Sequence, residues 1–187
     1  RGRDRHAGDY WMAVYGEPDG EVCGWRLGGH HVSVHVHAVG DELRATPLFL
    51  GANPARLHHA GRTTSRPLAP EEDVAFALLA ALGDAARREA VVDEQAPADI
   101  LTSDASRVDG VPDGGVRLAD LAGQALTLAH ELVGVYLDRL TEPVAAFYRH
   151  QVLPDGLGDF RFAWAGASEP GSGHYYRLVG ERFLVEL

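Results

Sequence analysis

Ten histidines occur in 187 residues, and His30, His31, His35 and His37 crowd into one short stretch. Side chains alternate along an extended strand, so residues two apart share a face at about 7 Å. If residues 23–39 are extended, His31, His35 and His37 point to one side, with His35 and His37 as neighbours. Neutral imidazole is a ligand for zinc, iron, copper and nickel, and alternate strand positions can converge on one ion. The pattern therefore points to a divalent transition metal, zinc or iron, with His31, His35 and His37 as candidate ligands. Gly29, His35, His37 and Glu42 also follow part of the first cupin motif. Phe49 stands where that motif needs glycine, and no second motif follows. The plain alternative is a solvent-facing strand side that carries histidines without using them.

Other chemistry is sparser. His30 falls on the side of Val32 and Val34, which suits a hydrogen-bonded core histidine as well as a ligand. His58 and His59 fall in a segment read as loop. His130-Glu131 lacks the second histidine of a zinc-protease helix, because Gly134 occupies that position. No Gly-x-Ser-x-Gly elbow is present, and the lone Cys23 reads as a packing residue. All 17 basic residues are arginine, so a P-loop, a Schiff base and pyridoxal-phosphate chemistry are excluded. Glu186 lies in the apolar run Phe183-Leu184-Val185, where a carboxylate must sit at a rim or be paired. Arg177 on the neighbouring strand is its natural partner, either in a structural ion pair or in a site.

These residues need elements to position them. Residues 9–15 form a short apolar patch before the turn at Gly16–Gly20. Residues 23–39 alternate, and Gly40-Asp41 turns them into a second strand over 43–50. Prolines and glycines make 51–67 largely loop. A helix begins near Pro70 with Glu71, Glu72 and Asp73 at its positive end, and Gly83 ends it. A second spans 84–92, and the longest spans 118–140, continuing through Phe147 after a break near Pro143. Residues 96–117 read as a mobile loop. Strands return at 160–164, 174–179 and 182–186. Hairpin, helices and meander in that order predict one α+β domain over residues 1–187, with a mainly antiparallel sheet packed on two to four helices. The terminal strands are expected to pair with the early hairpin in one sheet.

Composition sets the outer limits. Hydrophobic residues make up 45%, enough for a core, and acidic residues exceed basic ones by 27 to 17 for a net charge of −10. Nucleic acid is excluded as the expected partner, and no apolar run is long enough to span a membrane. A small-molecule substrate fits better. The expectation is a soluble protein, cytoplasmic if no signal peptide has been removed.

Several segments together carry a resemblance. They are Gly28-Gly29-His30-His31 after Trp25, the run Thr46 to Ala55, and Arg66-Pro67-Leu68-Ala69 before an acidic helix start. Phe162-Ala163-Trp164-Ala165-Gly166, Tyr175-Tyr176-Arg177 and Phe183-Leu184-Val185-Glu186 complete the set. In this order they resemble the bacterial and fungal family known as domain of unknown function 3500, from about Tyr10 to Leu187. The family brings no settled activity. Its members are longer, so the resemblance implies the C-terminal half of a larger module. They continue into a His-x-His segment beyond Glu186, which with His30 and His31 would make a ligand set. They also carry other residues at His35 and His37, so the family favours His30 and His31 while the strand spacing favours His35 and His37.

Two readings follow. The first is a metal-dependent enzyme, hydrolytic or oxidative. In it His30 and His31 are ligands or general acid and base, and Arg177 and Glu186 support them or bind an anionic substrate. The second is a non-catalytic binding or structural domain, with His30, Arg177 and Glu186 in a buried polar network.

Overall fold

A computed structural model describes residues 6, 8–103, 105, 108, 110–151 and 156–187. The strands run in the order β1 (Trp11–Gly16), β2 (Val22–Gly28), β3 (Val32–Val39), β4 (Glu42–Arg44), β5 (Leu48–Leu50), β6 (Leu57–His59) and β7 (Arg62–Ser65). Helices α1 (Ala69–Ala81) and α2 (Asp84–Ala90) follow, then β8 (Val91–Asp93), β9 (Val116–Arg117) and a 3-10 turn at Leu118–Asp120. Helices α3 (Gly123–Leu137) and α4 (Glu142–Gln151) precede β10 (Arg161–Gly166), β11 (His174–Val179) and β12 (Leu184–Glu186). The fold is α+β, with antiparallel sheet from N-terminal hairpins and a C-terminal meander. No helix among the described residues is long and apolar enough to cross a membrane.

The chain divides into two compact units. One comprises residues up to Leu68 with Leu140–Phe147, and the other comprises Ala69–Arg139 with Tyr148–Leu187. The early hairpin and the terminal strands therefore do not share a sheet as expected, because each group completes its pairing locally. The first sheet runs β1-β2-β3-β4, with β5 also on β3. The second runs β12-β11-β10-β8, with β9 also on β10 and β8 parallel to it.

In the N-terminal unit, the alternation read over 23–39 is two strands. Trp25 lies opposite Val36 and Leu27 opposite Val34. The apolar set thus moves from odd to even positions, as it does when the chain turns back on itself in an antiparallel pair. Gly29, His30 and His31 make that turn, closed by the Gly29 amide donating to the Val32 carbonyl at 2.8 Å. Gly40-Asp41 makes the expected β3–β4 turn, while the following strand breaks into β4 and β5 around Pro47. The expected loop over 51–67 contains the β6–β7 hairpin, so His58 and His59 lie on a strand.

The core of the C-terminal unit lies against β10 and β11. Phe162, Trp164, Tyr176 and Leu178 face one way, and Ala163, Ala165, Tyr175 and Arg177 face the other. Every one of these eight side chains is buried. Helix α1 covers the first face through Phe76, whose ring meets Trp164 edge-on at 4.9 Å. Its stripe Ala75, Leu78 and Leu79 is buried, as the spacing in the sequence required. Helix α3 adds Leu132 and Val133, and it is shorter than the expected 118–140 because the 3-10 turn at Leu118–Asp120 takes its first residues. Pro143 opens α4 as a separate helix, a position that needs no backbone N–H. The described part of 94–117 packs on the opposite face, where Ala163 and Ala165 leave room. Gly115 marks that contact: at φ +98° it lies so close that a Cβ would stand 2.6 Å from the Phe162 carbonyl oxygen.

Candidate functional site

The expected site residues fall into two groups, one in each unit. His30, His31, His35 and His37 belong to the N-terminal unit; Arg177 and Glu186 belong to the C-terminal unit.

The register of the first sheet places the histidines of β3 among specific neighbours. His35 lies opposite Arg26, which lies opposite Ala13; His37 lies between Gly24 and Arg44, with Tyr15 beyond Gly24. Side chains at directly opposed positions share a face, so Trp11, Tyr15, Arg26, His35, His37 and Arg44 decorate one surface. The His35 and His37 ring centres are 5.3 Å apart, and Tyr15 stands 6.3 Å from His35. Arg26 extends over the Trp11 ring at 5.3 Å and donates to Ser33 Oγ at 3.3 Å. Gly24 permits close approach here: a Cβ on it would lie 2.8 Å from His37 Cβ. Arg44 is paired with Glu42 at 2.8 Å. Burial, the nearby His35 and the Arg44 charge together hold the His37 imidazole below the ordinary histidine pKa, favouring its neutral form. His37 Nδ1 is withdrawn from solvent and has no hydrogen-bond partner among the described residues.

This surface is open. Gly28 is the only strand residue of the first sheet that is buried, and its place is covered by Trp11, whose indole a Cβ on Gly28 would strike at 2.4 Å. Trp11 and Tyr15 are each about half exposed.

His30 and His31 stand in the β2–β3 turn rather than on β3. Their ring centres are 4.5 Å apart, and His30 lies 6.0 Å from Tyr10. His31 is also fixed through its backbone, where its carbonyl accepts from the Gly51 amide at 2.8 Å. His30 is exposed, so it is not the core histidine that its parity suggested. Among the described residues, no group of three or more His, Cys, Asp or Glu side chains converges to hold a metal ion. Imidazole pairs are what this unit offers.

In the C-terminal unit the register of β11 and β12 sets Arg177 opposite Glu186, as the sequence suggested. The ion pair between them does not form. Glu186 Oε1 accepts from the Tyr175 hydroxyl at 2.6 Å and the Leu101 amide at 2.8 Å. Its Oε2 accepts from the Thr102 amide at 3.1 Å and the Thr102 hydroxyl at 2.5 Å. Partial burial opposes its charge, but the bonds from Thr102, Tyr175 and the two amides outweigh that and hold the carboxyl below its ordinary range. Burial first, then the hydrogen bond and charge of Glu186, push the Tyr175 hydroxyl far above its usual value.

Arg177 is only 3% exposed and directs one nitrogen to the carbonyls of Pro112, at 2.8 Å, and Asp113, at 3.4 Å. Its Nε is buried without a partner, and no carboxylate lies within ion-pair distance among the described residues. Glu186 and Arg177 therefore hold two points of the segment before β9. Positions 104, 106, 107 and 109 of the loop expected over 96–117 lie outside the described residues.

The opposite side of the same sheet carries a network that the sequence reading missed. Glu71 is 2% exposed and accepts from Arg139 Nε at 2.7 Å, with a second Arg139 nitrogen at 2.6 Å. Tyr176 donates to the Glu71 carbonyl at 3.1 Å, which leaves Tyr136 to donate to the Tyr176 oxygen at 2.5 Å. Burial raises both hydroxyls well above their ordinary pKa. One signal was available. Glu71 precedes Ala75 and Leu78 by four and seven residues, which puts it on the apolar stripe of α1 rather than merely at its acidic start.

Comparison with known proteins adds the family. Residues 2–187 match the family model described as "Protein of unknown function (DUF3500)". No curated protein and no solved structure matches the chain. The match covers nearly every residue, and the chain belongs to that family.

Proposed function

We propose that this member of the DUF3500 family is a binding domain, in which the C-terminal unit is scaffold and the histidine-aromatic face of the N-terminal sheet meets the ligand. The observation that carries this reading is a division of labour between side chains. In the C-terminal unit the two partly or fully buried carboxylates already have protein partners: Glu186 takes four donors, and Oε1 of Glu71 takes Arg139. In the N-terminal unit Trp11, Tyr15, Arg26, His35 and His37 share one open face. Aromatic rings, a guanidinium and imidazoles together suit a small molecule with a flat or anionic part.

Fragment screening by nuclear magnetic resonance tests the reading, with small aromatic carboxylates as probes. Shifts should concentrate on β1, β2 and β3, and Trp11→Ala with Tyr15→Ala should remove them while changing stability little. Shifts confined to the C-terminal unit would sink it.

The paired imidazoles support a second reading, a metal-dependent enzyme of hydrolytic or oxidative type. His30 and His31, with ring centres at 4.5 Å, would then serve as ligands or as acid and base.

A further inference from the structure

We propose that His35 and His37 chelate one divalent transition-metal ion, zinc in the first instance, with the remaining coordination positions open to water or substrate. This rests on the open face of the N-terminal sheet being the working surface, and it names the chemical class of what binds there. The strand supplies the geometry. His35 and His37 are alternate residues of β3, so both imidazoles rise from the same face without any change of backbone. Two imidazoles bound to a tetrahedral ion at 2.0–2.1 Å have ring centres about 5 Å apart. The observed separation is 5.3 Å, so rotation about the side-chain bonds is enough to bring two nitrogens onto one ion.

The surroundings agree. Gly24, opposite His37, places no side chain beside its ring, and Arg44 on the other flank is paired with Glu42. Among the described residues His37 Nδ1 has no hydrogen-bond partner, so turning the ring to meet an ion breaks no existing bond. Imidazole donors without a carboxylate select zinc, copper, nickel or iron over magnesium and calcium. Two protein ligands also make an open centre rather than a closed structural one.

His30 and His31 are the competing pair, but they come from consecutive turn positions, and His30 packs near Tyr10 instead. The experiment separates the two pairs. Untagged protein, stripped with chelator and dialysed, is titrated with zinc by calorimetry and with cobalt(II) by visible absorption. One ion should bind per chain. His35→Ala and His37→Ala should each weaken binding by at least about 10-fold, while His31→Ala should leave it unchanged. Circular dichroism confirms that each variant keeps its strands. Loss of binding in His31→Ala with retention in His37→Ala would overturn the assignment, and so would a wild-type chain that binds neither metal. In that last case fragment binding to the same face would show that the working-surface reading survives without the metal.

Discussion

Replacing Glu186 with glutamine tests whether this carboxylate is a structural clamp. Four donors converge on its two oxygens: the amides of Leu101 and Thr102 and the hydroxyls of Thr102 and Tyr175. Glutamine keeps one acceptor oxygen and turns the other into a donor. The two hydroxyls can rotate and accept from it, whereas a backbone N–H cannot. Whichever way the amide is placed, one of the two backbone donors loses its partner. A hydrogen bond to a charged group contributes about 1.5–3 kcal/mol. Glu186 is half-buried and Leu101 exposed, so the lower end applies, about 1.5–2 kcal/mol. For a chain of this size that is a fall in Tm of roughly 3–8 °C.

The pH dependence supplies the second half of the test. The folded carboxyl titrates below its ordinary value, so its contribution is complete above the unfolded pKa, near 4.5. It disappears as pH falls through the lowered folded value. Calorimetric melts of wild type and Glu186→Gln should therefore differ at pH 7 and converge well below pH 4.5. Faster proteolytic cleavage after Leu101 should accompany the change at neutral pH. Melting points within 1 °C of each other at neutral pH, or a gap that persists in acid, would refute the clamp.

The network on the other side of the sheet yields two orderings. Tyr176→Phe leaves the Tyr136 hydroxyl without its acceptor and removes the second donor to the Glu71 carbonyl, which keeps its helix bond, and should cost about 2–3 kcal/mol in urea denaturation. Tyr136→Phe leaves the bond to Glu71 in place and should cost about 1 kcal/mol; the reverse order would contradict the donor assignment. Arg139→Met leaves the Glu71 carboxylate buried without its cation, a loss of about 3–5 kcal/mol. Glu71→Gln should cost less, since the Arg139 side chain is 32% exposed and can turn to water. Equal losses from both would show that the pair acts as a unit.

How much of this was legible depended on the range of the interactions. Helix α1 was readable because its stripe is local, and the β3–β4 turn was readable from Gly40-Asp41. The break between β2 and β3 was written in the sequence too, as a change of parity. Cys23, Trp25 and Leu27 are odd, whereas Val32, Val34 and Val36 are even, with Gly28-Gly29 at the slip. Read as one strand, the segment put His31 in line with His35 and His37; read with the slip, it puts His31 in the turn. Strand β8 had no local signature, because three residues lying parallel to β10 derive their conformation from a partner some 70 positions away. The opposition of Arg177 and Glu186 followed from their neighbouring strands, yet apart from Tyr175 on Glu186 their actual partners lie 64 to 85 residues distant. Nothing local distinguishes a buried pair from two residues that each bind something else.

The irregular segment before β9 then follows from Arg177 itself. A guanidinium has five N–H donors, and one buried to 3% exposure needs acceptors. A helix or a paired strand has little to offer, since its carbonyls are already committed to its own hydrogen bonds. Free carbonyls come from chain that is neither, and Pro112, Asp113, Gly114 and Gly115 are composed to remain so. Pro112 lacks an amide hydrogen, and Gly114 and Gly115 adopt φ of +113° and +98°, which lets the chain turn its carbonyl oxygens toward the sheet. Glu186 makes the converse demand: it needs donors, and the non-helical amides of Leu101 and Thr102 supply them. The segment whose composition most resembles a featureless loop is therefore the one whose backbone must stay free of regular structure, because two charged side chains of the sheet use its amides and carbonyls as ligands.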